Sequence, residues 1–116
     1  MPVINRYHVG PRLSEIVVHG NTVYLSGQIA RDLDKDTQGQ TAEALESIDF
    51  LLAEVGSDKR RILSATVYLA DFSDYDAMNE AWQAWIPHGH TPARVTIPVG
   101  SANHKCKVVI AVIAAL

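Results

Sequence analysis

Near its C-terminus the chain runs Cys106-Lys107-Val108-Val109-Ile110-Ala111-Val112-Ile113-Ala114-Ala115. After Lys107 both alternating faces of this run are apolar. Side chains of a strand point to opposite sides with a period of two, so such a run belongs to a strand covered on both faces. The rest of the chain must supply two covers. Only two other segments have helical period, and two helices can cover just one face of a sheet of five or six strands. The second cover is then another copy of the same chain, which makes homo-oligomerisation an expectation from pattern alone. The competing reading is a half-wet face with scattered apolar residues, which is common on protein surfaces.

The first helical segment spans Gln40 to Val55, where Ala42, Leu45, Ile48, Leu52 and Val55 recur at three and four with Glu43, Glu46 and Glu54 between them. Thr37 to Gly39 form its polar approach, and Gly56 supplies the left-handed closing residue. A second helix is announced by Ser73 with Asp76 three residues on; its stripe is Met78, Trp82 and Trp85, and Pro87 with Gly89 end it. Glu15 to His19 and Thr22 to Gln28 read as a hairpin turning at Gly20-Asn21. Ile62 to Ala70 alternates, with Leu63, Ala65, Val67 and Leu69 on one side and Ser64, Thr66 and Tyr68 on the other. Ala93 to Val99 and Cys106 to Ala115 follow, separated by a turn over Gly100 to Asn103. The order is ββαβαββ, with Ile4 to His8 as a further strand at the front. This is an α+β chain, a mixed sheet with two helices on one face, and residues 1–116 are expected to form a single domain.

Ten Lys plus Arg stand against thirteen Asp plus Glu, a net charge of −3, and with a pI near 5.9 the chain is not built to coat a phosphate backbone; nucleic acid is not an expected partner. The lone Cys106 allows no intrachain disulfide and no multi-cysteine zinc site, in keeping with a reducing cytosol. Met1 to Arg6 lack the apolar core of a signal peptide, and no apolar run approaches the ~20 residues of a membrane helix. The chain is expected to be soluble and cytoplasmic.

Candidate chemistry is sparse. In Thr91-Pro92-Ala93-Arg94-Val95-Thr96-Ile97-Pro98, Val95, Ile97 and Val99 are expected to face the helices, which puts Arg94 and Thr96 on the opposite, interfacial side. A guanidinium there can grip a carboxylate bidentately, or it can form a salt bridge across the interface. Ser26-Gly27-Gln28-Ile29 offers a hydroxyl, a close backbone approach and an amide, suited to lining a small pocket; Gly27 equally suits a bulge. Asn79 beside the apolar stripe of the second helix can orient a ligand or merely decorate a helix surface. His88-Gly89-His90 lacks a third nearby metal ligand and reads as loop polarity, so no metal is expected. His8, His19 and His104 are scattered. Trp82 and Trp85 have core spacing, and no nucleotide, phosphate-loop or hydrolase-elbow motif is present.

Gly10-Pro11, Gly20-Asn21, Ser26-Gly27-Gln28-Ile29, the helix Gln40 to Gly56, Val67-Tyr68-Leu69, Asn79 and Pro92-Ala93-Arg94 together resemble the reactive intermediate deaminase family, also called RidA or YjgF. The resemblance runs over nearly the whole chain. It implies a chorismate-mutase-like α+β fold assembled as a homotrimer with ligand sites between subunits. It also implies hydrolysis of reactive 2-imino or enamine acids to 2-keto acids and ammonia, of the 2-iminobutanoate/2-iminopropanoate deaminase type, without metal or organic cofactor. Arg94 would hold the substrate carboxylate, with Gly27, Ser26, Asn79 and Thr96 around the substrate. Three positions depart from the pattern. Val109 stands where the family carries a water-activating Glu, Thr96 where Cys is common, and Leu13 where a Tyr is common. Carboxylate binding therefore carries over better than water activation, and a non-catalytic protein that binds carboxylate metabolites is the alternative.

Overall fold

The computed structural model describes residues 3–100 and 105–116. The doubly apolar run forms the strand β6 (Val108–Ala115), an interior strand of a six-stranded sheet. The other strands are β1 (Ile4–Val9), β2 (Ser14–His19), β3 (Thr22–Leu25), β4 (Ile62–Leu69) and β5 (Ala93–Pro98), in spatial order β1-β2-β3-β6-β4-β5. All neighbours are antiparallel except β4 and β5, which run parallel because helix α2 (Tyr75–Trp85) connects them. Helix α1 (Thr37–Glu54) joins β3 to β4. The turn expected over Gly100 to Asn103 lies, beyond Gly100, outside the described residues.

One core holds the layers together. Ile16, Val18, Val23, Leu25, Ala65, Val67, Leu69, Val108, Ile110 and Val112 from the strands meet Leu45, Ile48, Leu52, Met78 and Trp82 from the helices, all buried. Both helices thus cover the same sheet face. On β6 the residues Val108, Ile110, Val112 and Ala114 are buried against them, while Val109, Ala111, Ile113 and Ala115 are only partly covered. Those four belong to the face without helices, together with Thr66 and Tyr68 of β4.

The elements begin and end where local chemistry sets them. Asp36 caps α1, its carboxylate accepting the Gly39 N–H at 2.8 Å, so Thr37 to Gly39 form the first helical turn and not a lead-in. Gly56 at φ 81° closes it as expected. Ser73 does not cap the second helix. Asp71 accepts its N–H at 2.9 Å and starts a 3₁₀ turn, Phe72–Asp74, ahead of α2. Thr22 to Gln28 is strand only to Leu25, and Gln28 returns as a single bridge to Ile110. Buried Gln40 ties three segments: its amide donates to the carbonyls of Leu33, Lys35 and Lys105, and its oxygen accepts the Lys107 N–H.

Three facing assignments from the sequence are corrected. A register shift between Ile62 and Ser64 turns Ile62 into the core and leaves Leu63 54% exposed. On α1, Ala42 is exposed whereas Glu43 is buried, because Lys35 and the Asp32 N–H bind its carboxylate at 2.8 and 2.9 Å. On β5 the facing is inverted. Ala65 pairs with Arg94 and Val67 with Thr96, so Arg94 and Thr96 share the helix side, and Val95 and Ile97 are 51% and 37% exposed. Apolarity misassigned this edge strand because its two covers differ: α2 presents polar groups to it, and the outer face is open.

Candidate functional site

On α2, Tyr75, Met78, Asn79 and Trp82 stand at i, i+3, i+4 and i+7, one face of a helix. That face lies over Arg94 of β5. Arg94 Nη1 donates to Asn79 Oδ1 at 2.7 Å and lies 3.7 Å from Met78 Sδ, and Nη2 donates to the Tyr75 hydroxyl at 3.4 Å. The guanidinium carbon sits 5.1 Å from the Trp82 ring centroid and 5.9 Å from that of Tyr75, within cation–π range. Every one of these partners is neutral. Ion pairs among the described residues involve His8, Arg31, Lys35, Arg61 and Lys105, and none involves Arg94. The guanidinium is therefore held in place with its positive charge uncompensated, the condition under which a planar fork accepts a carboxylate from outside.

A cavity of about 480 Å³ opens beside it, lined by Tyr75, Asn79, Trp82, Gln83, Ile86, His88, Thr91 and Arg94. A groove of about 600 Å³ between α1 and α2 shares none of these residues; the smaller cavity is the candidate because it holds the guanidinium. Tyr75, Trp82, His88 and Thr91 were not singled out as ligand-facing in the sequence. The helical spacing of Tyr75, Asn79 and Trp82 was the available signal, since a polar and aromatic face opposite a strand arginine is a pocket wall.

The candidate residues fall into two groups. Arg94 and Asn79 are brought together, with Thr96 further along the same face of β5. Ser26 and Gly27 lie just past β3, against β6: the Gln28 N–H bonds the Ile110 carbonyl at 2.8 Å, and a Cβ on Gly27 would sit 2.8 Å from Val109 Cγ1. Two strands, β6 and β4, stand between β3 and β5, a separation of roughly 14 Å at the usual strand spacing. Within one chain Ser26 and Gly27 do not meet Arg94. The Ser26 hydroxyl donates to Glu15 Oε1 at 2.6 Å, and Gln28 Nε2 donates to Ser26 Oγ at 3.2 Å. Glu15 was missed in the sequence because it reads there as an ordinary strand residue.

Fold and site together define a small α+β sheet protein with an arginine-centred cavity at its sheet edge. The profile of the family described as Endoribonuclease L-PSP matches residues 4–116. The chain is 45% identical over 113 residues to the RutC family protein YoaB of Escherichia coli, covering 97% of this chain and 98% of that one. Its structure superposes on that of an uncharacterized protein from Pseudomonas aeruginosa with a TM-score of 0.95 at 41% identity, covering 97% and 98% of the two chains. A YjgF-family protein from Neisseria meningitidis gives 0.94 at 38% identity, covering 97% and 94%. The chain belongs to this RutC/YjgF/RidA family, as its motifs indicated, and shares the family's six-stranded mixed sheet with two helices.

Proposed function

We propose that this chain hydrolyses small 2-imino or enamine acids to 2-keto acids and ammonia in the cytosol, with Arg94 gripping the substrate carboxylate. The observation that carries the reading is the Arg94 guanidinium, oriented by Asn79 and Tyr75, bordering a cavity, and unpaired with any carboxylate among the described residues. Family membership supports it, and the separation of the two groups of candidate residues gives it a form. The cavity at the β5 edge would be completed by Ser26 and Gly27 of a neighbouring copy, which makes the working unit a homo-oligomer, a trimer by analogy with the family. The partly covered apolar row Val109, Ala111, Ile113 and Ala115, with exposed Val95 and Ile97, is the surface such a copy would cover. An imine is already reactive toward water, so fixing it beside a bound water supplies part of the rate by orientation. Against cleavage of RNA stands the acidic balance of the chain, −3 overall.

The test couples an amino-acid oxidase, which releases imine in situ, to measurement of keto acid and ammonia. Wild type should accelerate their appearance, and Arg94→Ala should not; equal rates with the two proteins would end the proposal. A second reading, carboxylate binding without turnover, is favoured by one observation: the side chain packed beside Gly27 is Val109, which cannot accept a proton. Thermal stabilisation by 2-keto acids that vanishes in Arg94→Ala, with no turnover by wild type, would select it.

A further inference from the structure

We infer that Glu15, acting through Ser26, accepts the proton of the attacking water; this rests on the deaminase reading above. Hydrolysis of an imine needs a group that takes a proton from water as its oxygen bonds to carbon. Beside Gly27 the sheet offers Val109, which cannot do this. The nearest carboxylate to the Ser26-Gly27 segment is Glu15. The Glu15 and Ser26 backbones are adjacent in the ladder, the Ser26 N–H donating to the Glu15 carbonyl at 3.0 Å. Their side chains are joined by the 2.6 Å bond from Ser26 Oγ to Oε1, while Gln28 Nε2 lies 3.5 Å from Oε2 and 3.2 Å from Ser26 Oγ.

This arrangement fixes the proton's direction. The Ser26 hydrogen is committed to Glu15, so the hydroxyl oxygen presents a lone pair outward and can receive a hydrogen from water as it passes its own to the carboxylate. Glu15 has no ion-pair partner among the described residues, so no cation competes for that proton. The contrast with its neighbour is direct. Glu15 borders a cavity of about 440 Å³ shared with Gln28, Arg31, Glu46 and Phe50, but the Arg31 guanidinium there is already engaged, 2.9 Å from Glu46 and 3.6 Å from Glu43. The cavity leaves the carboxylate within reach of water.

The step balances. Water oxygen bonds to the imine carbon as the C=N π pair moves to nitrogen; one water hydrogen goes to Ser26 Oγ as the Ser26 hydrogen goes to Glu15. The reverse relay protonates the amine nitrogen, and the C–N bond breaks as the carbinol oxygen forms C=O. The carbinol hydrogen returns to Glu15 and then to ammonia, which leaves as ammonium. Ser26 touches the water and is the catalytic contact; Glu15 acts through it.

The experiment is the in-situ imine assay with wild type, Arg94→Ala, Glu15→Gln, Ser26→Ala and the double variant Glu15→Gln/Val109→Glu, with binding of a 2-keto acid measured in parallel. Gln at position 15 can still accept the Ser26 hydroxyl, so it preserves the geometry while removing the proton acceptor. Glu15→Gln should lower kcat on the order of 10²-fold with KM and keto-acid affinity unchanged, and Val109→Glu in that background should recover at least tenfold. Ser26→Ala should match Glu15→Gln. If Arg94→Ala abolishes turnover while Glu15→Gln retains wild-type kcat, the Glu15 assignment is wrong and the deaminase reading stands. A rise in KM with kcat unchanged would make Glu15 structural and also overturn the assignment. Should wild type itself show no turnover, both fall together.

Discussion

Replacing Asn79 by Asp tests whether the charge of Arg94 is open to an outside ligand. The two side chains have the same shape, so an Asp oxygen would take the place of Asn79 Oδ1, 2.7 Å from Arg94 Nη1, and the cavity would keep its walls. A unit charge pair at ~4 Å is worth about 4 kcal/mol at an effective dielectric near 20 and about 1 kcal/mol in bulk water. A half-buried guanidinium lies between these limits, so an internal carboxylate should compete with about 2 kcal/mol against an incoming one. At 1.4 kcal/mol per decade this weakens 2-keto acid affinity roughly 30-fold. Asn79→Ala removes the acceptor without adding charge and should lose much less. Titration calorimetry of wild type, Asn79→Asp, Asn79→Ala and Arg94→Ala with the same 2-keto acid separates the effects, and thermal unfolding should show Asn79→Asp no less stable than wild type. If Asn79→Asp binds within threefold of wild type, the guanidinium is not the anchor and the carboxylate reading of the cavity is refuted.

Gly27→Ala should destabilise the fold by about 1–3 kcal/mol, because its Cβ would fall 2.8 Å from Val109 Cγ1 and a β-branched side chain turns aside reluctantly; in denaturant titration, adding Val109→Ala should recover most of the loss. The Glu43 carboxyl is held down to about 2, first by the Lys35 ammonium hydrogen-bonded to it and then by the Asp32 N–H. Its folded value lies below the unfolded one, so its contribution is complete above pH ~5 and fades as pH falls toward 2; thermal unfolding across that range should lose part of its slope in Glu43→Gln.

How far the sequence spoke depends on what covered each segment. β6 was legible to its facing and its interior place, because a strand apolar on both sides has few alternatives. The helices were legible in position, though Ala42 and Glu43 changed places: a buried carboxylate needs Lys35 and the Asp32 amide, which come from a preceding loop that periodicity does not read. β5 failed for a related reason. Alternation reveals which residues share a face but not which face meets the helices, and the rule that apolar residues go inward chose wrongly because α2 turns Tyr75, Asn79 and Trp82 toward it. Arg94 was found as a residue, and its partners were not. Glu15 was invisible because its importance lies in a cross-strand neighbour, Ser26, eleven positions away.

The inverted facing of β5 joins the two halves of the functional reading. Arg94 and Thr96 project toward α2, and Val95 and Ile97 project the other way, onto the open side of the sheet. A strand whose alternate residues serve a cavity and an oligomer surface cannot slip by one residue without exchanging them. Its register is fixed by pairing with β4 from Ser64↔Ala93 through Leu69↔Pro98 and by the Val99 N–H bonding the Leu69 carbonyl at 2.9 Å. Pro98 needs no ladder donor at the strand's end, where an edge position tolerates its ring. Loss of an apolar contact at Val95 or Ile97 on assembly would therefore move the backbone that carries Arg94. On this geometry ligand binding and association are coupled through one strand: a carboxylate that fixes Arg94 favours the oligomer, and the oligomer favours the carboxylate, by equal factors.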